Sequence, residues 1–201
     1  MNNPPRWLAG AVLALVLLAT VAAPANAQFP FQPAPASPQP GPQPAPQPAP
    51  APVGDQRAAQ IRSAMEQAGL RVLGVEYKPS EGNNPPGWLV LTAANYAQPA
   101  WGSIFNQAGM MWGATFRVIS RETPETVMFT GQQWSKHLLI LVTQLKYFGT
   151  FLNDYNAAGN DERKQGLAVE AFLKTVNFRV YDLERQQFVD QKDFVNKNFT
   201  R

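Results

Sequence analysis

The sequence predicts an α+β fold in which helix-strand-strand units build an antiparallel sheet with helices packed on one face. Two patterns lead to this prediction. Apolar residues recur at helical spacing in some segments and alternate with polar residues in others. The helical segments tend to precede pairs of alternating segments. We assign this single α+β domain to residues 54–201, because the residues before them have a composition that cannot supply a core.

Residues 1–27 are typical of a cleavable signal peptide. Arg6 is the only charged residue in this segment, an apolar run covers residues 7–23, and Ala25-Asn26-Ala27 matches a signal peptidase site. We therefore expect cleavage after Ala27 and a secreted or periplasmic protein. A run of about 17 apolar residues is near the lower limit for spanning a bilayer. An uncleaved membrane anchor formed by this run is the alternative, and it is the only membrane contact that we expect.

Residues 28–53 form a Pro/Ala/Gln-rich linker with eleven prolines and no charged residue. Proline fixes φ and favours polyproline II, so we expect a disordered but extended spacer of roughly 3.1 Å per residue, about 80 Å in all. A spacer of this length would hold the domain away from a surface.

The first helix-strand-strand unit opens the domain. Asp55 is the predicted N-cap of a short helix that ends at Gly69. Residues 73–78 then alternate between apolar and other side chains. After a Gly/Asn/Pro-rich loop at residues 82–87, an apolar run covers residues 88–91. This pattern predicts a strand, a turn and a second strand.

A second helix and hairpin are predicted to follow. Pro99 suits a first helical turn, and apolar residues from Trp101 to Trp112 recur on one face of a helix. Beyond Gly113, residues 116–119 alternate as a strand would. Residues 122–125 can form a turn before the alternation restarts at residue 127.

Residues 136–156 allow two interpretations. As a helix capped by Ser135, they would bury a stripe that includes Leu138, Leu141 and Leu145. As a strand, the run at residues 138–142 would lie in the middle of a sheet. Periodicity cannot separate a short buried strand from a buried helix. We favour the helix and keep the strand as the alternative.

The domain is predicted to close on a further helix and a hairpin. Asn160 or Asp161 caps the helix, and Glu162 lies in its first turn, where the helix dipole favours an acidic side chain. Residues 178–182 then alternate, residues 184–186 can turn, and a return strand begins at residue 188.

Ionisable residues give no catalytic, cofactor-binding or metal signature. The chain has no cysteine, which excludes disulfides, thiol nucleophiles and thiolate metal sites. His137 is the only histidine, and no neighbour in the sequence stands out as its partner. Four carboxylates could form the pair that many exported glycosidases use. They are Glu76, Glu122, Glu125 and Asp154. Each is explained equally well as a solvated side chain, so we lean against an enzyme.

The charge of the chain argues against a nucleic-acid partner. The formal net charge is +3, and the basic residues are scattered, whereas phosphate binding needs a clustered stripe. Aromatic and methionine residues are the strongest sign of recognition. Trp101, Met111 and Trp112 fall on the face that we expect to pack in the core, because large aromatic side chains fill cores first. One helix face cannot bury all of Trp101, Met110, Met111 and Trp112, however, so a ligand or partner surface is expected along this helix, from Pro99 to Met111, and on the strand after it.

These features predict an exported, non-catalytic binding or assembly module of the cell envelope or extracellular space, displayed on the proline-rich linker as a stalk. We expect a monomer or a weak oligomer that needs no cofactor. Its partner would be an envelope or extracellular protein or an apolar ligand. The alternatives are a carrier of a small apolar ligand and a carboxylate-based hydrolase.

Overall fold

A computed structural model describes residues 53–199 and has an α+β fold with five helices and a six-stranded sheet. The predicted signal peptide and all but the last residue of the predicted linker lie outside these residues. The elements are α1 (Val53–Gln67), β1 (Val72–Lys78), β2 (Gly87–Ala93), α2 (Trp101–Ile119), β3 (Val127–Trp134), β4 (His137–Gln144), α3 (Leu145–Ala157), α4 (Glu162–Leu173), β5 (Asn177–Asp182), β6 (Gln187–Val189) and α5 (Gln191–Asn198).

The sheet is mixed, so the prediction of a purely antiparallel sheet was wrong. Its strands lie in the order β1-β2-β3-β4-β5-β6. Neighbours are antiparallel except β2 and β3, which run parallel. The cause is α2, which connects these two strands. A helical crossover brings the chain back to the end of the sheet where β2 began, and β3 therefore runs in the same direction.

Two segments change type relative to the prediction. Residues 116–119 belong to α2, in which Thr115 and Ile119 are buried, and they do not form a strand. Residues 138–142 belong to β4, so the favoured helix was wrong there and the strand alternative was right. Ser135 lies in the turn between β3 and β4 with φ 53° and caps no helix. The helical part of this region begins only at Leu145.

Local signals were interpreted correctly at several other places. Gly69 follows α1 with φ +80°, and Asp161 caps α4 by accepting a hydrogen bond from the backbone N–H of Lys164 at 3.1 Å. The hairpins β1-β2 and β5-β6 are both present. The predicted start of α1 was wrong, because the helix begins at Val53 and Asp55 lies inside it. Helix α5 was not predicted.

One face of the sheet carries the hydrophobic core. All five helices contribute buried residues to a single cluster. The strands contribute Trp88, Val90, Met128, Leu139, Leu141 and Val180. The pairing register places these six side chains on the same side of the sheet. The helices therefore cover this face, which we call the helix side.

Buried amides fix the position of α2 on the helix side. The Gln107 side chain donates to Thr92 Oγ1 at 2.9 Å and to the Ala93 carbonyl at 2.7 Å. Gln132 donates to the Ile104 carbonyl at 2.8 Å and accepts from the Tyr96 hydroxyl at 3.1 Å. Hydrogen bonds are directional, so they fix the register of the helix more closely than apolar contacts alone.

The last described residues pack against an aromatic cluster. Phe194 of α5 is buried, and its ring lies 5.1 Å from the His137 ring and 6.4 Å from the Trp134 ring, centroid to centroid. Phe199 stacks on Trp101 at 4.7 Å. Within the described part of the chain, none of the helices combines the length and the apolar character that crossing a bilayer requires.

Candidate functional site

The second face of the sheet is also apolar, but none of the helices within residues 53–199 covers it. Side chains alternate between the two faces of a strand, so the residues between the core positions point away from the helices. We call this surface the open face and define it by Leu89, Leu91, Phe129, Leu138, Ile140, Val142, Tyr181 and Phe188. None of the eight belongs to the core cluster or packs against it. Seven of them are half-buried, and Phe188 is 57% exposed.

Glycine in β3 allows this apolar layer to be continuous. A Cβ at Gly131 would collide with the Leu91 side chain and would lie 3.1 Å from Leu138 Cδ1. The leucines of β2 and β4 therefore lean toward each other over β3. Gly87 plays a similar part beside Phe129, whose Cε2 would lie 2.8 Å from an added Cβ. These side chains shield one another, which explains why they are half-buried although none of the described helices lies above them.

The layer continues to the β6 edge. The rings of Tyr181 and Phe188 meet edge to face at 5.3 Å between centroids. The Arg179 guanidinium lies 5.8 Å from the centroid of the Phe188 ring, a distance that suits a cation-π contact. The β6 edge therefore presents an exposed aromatic ring beside a positive charge.

Charges lie only at the rim of this surface. The open-face positions of β2, β3 and β4, which are described along their whole lengths, carry no ionisable side chain. Glu76 and Lys78 form an ion pair on β1, and Arg179 lies on β5. An apolar centre with a polar rim is the arrangement typical of protein-protein interfaces.

The helix surface predicted from the sequence is only partly accessible. Met111 is 0% exposed and Trp112 is 1% exposed, and both belong to the core. Met110 and Trp101 are half-buried. A partner that binds the folded domain could therefore contact only Trp101 and Met110 of the four. Trp101 also packs against Phe178 at 5.2 Å. A ligand surface at this helix stays a prediction.

The structure gives His137 a neighbour that the sequence did not suggest. His137 pairs with Asp182 across β4 and β5, and its Nδ1 is buried with no hydrogen-bond partner among the described residues. Burial lowers the pKa of His137, while the Asp182 charge opposes this shift. Asp182 Oδ1 accepts backbone N–H bonds from Arg185 at 3.0 Å and Glu184 at 2.9 Å, which lower the pKa of Asp182. This carboxylate holds the β5-β6 turn.

The four candidate carboxylates have separate surroundings. Glu122 forms an ion pair with Arg57 and accepts from Trp88 Nε1 at 3.3 Å on the helix side, whereas Glu76 lies at the rim of the open face. Glu125 is exposed. Asp154 lines a shallow groove of about 360 Å³ between α3 and α4. Among residues 53–199, no group of three or more His, Cys, Asp or Glu side chains could hold a metal ion.

No residue of the open face was selected from the sequence, although a signal was present. Strands buried on both faces have continuous apolar runs instead of alternation. Residues 88–91 and 138–142 are two such runs. Comparison of the chain with protein-family models, with curated proteins and with solved structures finds no match.

Proposed function

We propose that this protein is an exported, non-catalytic binding or assembly module that works in the cell envelope or outside the cell. The proline-rich linker would act as its stalk, and the open face would be its docking surface. The observation that carries the proposal is the uncovered apolar layer on β2, β3 and β4. Monomers rarely expose contiguous apolar patches larger than a few hundred Å², and the largest patch on a protein surface is often an interaction site.

The composition of the open face supports a protein partner. Its centre is formed by aliphatic side chains and Phe129, and an aromatic ring and an arginine lie at its β6 edge. Aromatic residues and arginine are enriched in interfaces, and charged residues are depleted at their centres. The expected signal peptide and stalk indicate where the partner would be met. Export would place the domain outside the cytoplasm, and an extended spacer can carry its docking surface across a gap.

The docking surface can be tested inside the native host by site-specific photo-cross-linking. A photoreactive phenylalanine analogue would replace Phe129 on the open face. The matched control would place the same analogue at Tyr147 of α3, which is 40% exposed on the helix side. We expect a cross-linked product at position 129 and little or none at position 147.

The location of the product matters as much as its formation. It should appear in the exported fraction, because the signal peptide predicts that the partner is met outside the cytoplasm. Equal yields at the two positions, or no product at position 129, would contradict the proposal.

A further inference from the structure

We infer that the open face docks a second copy of this chain, so that two sheets pack face to face around a two-fold axis. The inference rests on the proposed function, since it names the partner of the same surface. It is carried by the size of the face, the position of its apolar centre and the charges at its two edges.

The face has the size that a stable dimer needs. Six strands spaced about 4.8 Å apart span about 24 Å, and their three to eight residues rise about 3.3 Å each, which gives a footprint of about 550 Å². Two copies together contribute about 1,100 Å², which exceeds the roughly 1,000 Å² that a specific interface should bury. A narrower partner would leave part of the apolar layer in water.

The apolar centre of the face lies close to the proposed two-fold axis, so the centres of the two copies can pack on each other. The bulky side chains are on β2, β3 and β4, near the middle of the six-stranded order. With an axis parallel to the strands between β3 and β4, β3 of one copy faces β4 of the other. Phe129 of each copy then meets the region of Ile140 and Val142 of the other. Aligned packing of this kind is one of the two common ways in which sheets stack.

The same axis places the β1 edge of one copy over the β6 edge of the other. The Glu76–Lys78 ion pair of one copy then faces the edge where the Arg179 guanidinium of the other lies over Phe188. The charged groups lie at the rim of the interface and leave its centre apolar.

Other occupants fit the face less well. A single extended segment, such as the sequence predicts for the linker at residues 28–53, would cover about one strand spacing of the 24 Å width. An anionic lipid surface would favour a basic rim. Here Lys78 is already paired with Glu76.

The first experiment measures the mass of the purified chain. It should be expressed from the full-length gene, so that the host determines the N-terminus. Sedimentation velocity should extend to about 100 µM, because interfaces of about 1,600 Å² bind at µM or tighter and a smaller one binds more weakly. We expect a concentration-dependent dimer. Ile140→Lys should raise its dissociation constant by at least about a hundredfold, because each copy would bury an unpaired charge. Leu167→Lys on α4 is the matched control, since Leu167 is 57% exposed and lines the groove between α3 and α4 instead of the open face.

The second experiment does not require the domain to fold with a charged side chain at position 140. Because the chain has no cysteine, Ile140→Cys and Leu167→Cys each introduce a single thiol. A bismaleimide with a span of about 10 Å, the spacing of packed sheets, should convert Ile140→Cys into a covalent dimer. The more exposed Leu167→Cys should stay monomeric, which excludes random collision.

The inference would be overturned if the chain stayed monomeric at 100 µM. It would also be overturned by a dimer that Ile140→Lys does not weaken and that the bismaleimide does not capture through Ile140→Cys. The proposed function is judged separately. If position 129 cross-links in the host to a different protein or to lipid while the purified chain is monomeric, the open face binds another partner and only the second copy is excluded. If position 129 gives no product and the chain is monomeric, both proposals fail.

Discussion

The two faces of the sheet differ in their surroundings although the same strands form both. On β4, Leu139 and Leu141 point toward the helices and are 0% exposed, while Leu138, Ile140 and Val142 point away and keep part of their solvent contact. Neighbouring residues of similar chemistry therefore have opposite environments. The core alone explains only half of the apolar character of this strand. The other half forms a surface that has no covering element within residues 53–199.

The largest expected difference in the free energy of unfolding is between alanine substitutions at two leucines that are adjacent in β4. Leu139→Ala should lower the free energy of unfolding by about 2–5 kcal/mol, because it removes buried methyl groups and leaves a cavity. Leu138→Ala should cost about 1 kcal/mol or less, because the side chain is only partly shielded. Urea unfolding at low protein concentration measures both values without a contribution from association. Equal losses would mean that something covers the open face even in the monomer.

A smaller difference in the free energy of unfolding is expected between alanine substitutions at two glutamines that are adjacent in β3. Gln132→Ala should cost about 1–3 kcal/mol, because the Ile104 carbonyl and the Tyr96 hydroxyl lose a buried partner. Gln133→Ala is the control. Gln133 is exposed on the other side of the strand, and surface substitutions usually change stability by less than about 0.5 kcal/mol. A Gln132→Ala protein as stable as the Gln133→Ala protein would show that the amides do not hold α2 in place.

The smallest expected change in the free energy of unfolding depends on pH. It comes from Tyr96, which lies on the helix side. Burial raises the pKa of Tyr96 well above its ordinary value of 10.0. Above pH 10 the unfolded chain loses this proton and the folded chain keeps it. Unfolding therefore becomes easier as pH rises, by up to about 1.4 kcal/mol per pH unit. Urea unfolding at pH 9 and pH 11 measures the loss. Tyr96→Phe should show a smaller loss over the same interval, and an identical loss would contradict this assignment.

The candidate site shows where inference from the sequence stopped. Aromatic and methionine content drew attention to Trp101, Met110, Met111 and Trp112, but large apolar side chains fill cores first. Met111 and Trp112 are indeed in the core. The open face consists mostly of ordinary leucine, isoleucine and valine, whose identity does not reveal which face of a sheet is uncovered. Only the pairing register and the position of the helices show it.

Signals that act over a few residues were enough to determine part of this fold from the sequence. Gly69 ends α1 because glycine adopts positive φ at little cost, and Asp161 caps α4 because its side chain reaches an N–H three residues ahead. Tertiary structure decided the rest. Residues 116–119 are helical and residues 138–142 are extended because of the elements packed against them. The parallel pairing of β2 with β3 depends on where α2 crosses the sheet, and contacts so distant along the chain leave no local pattern.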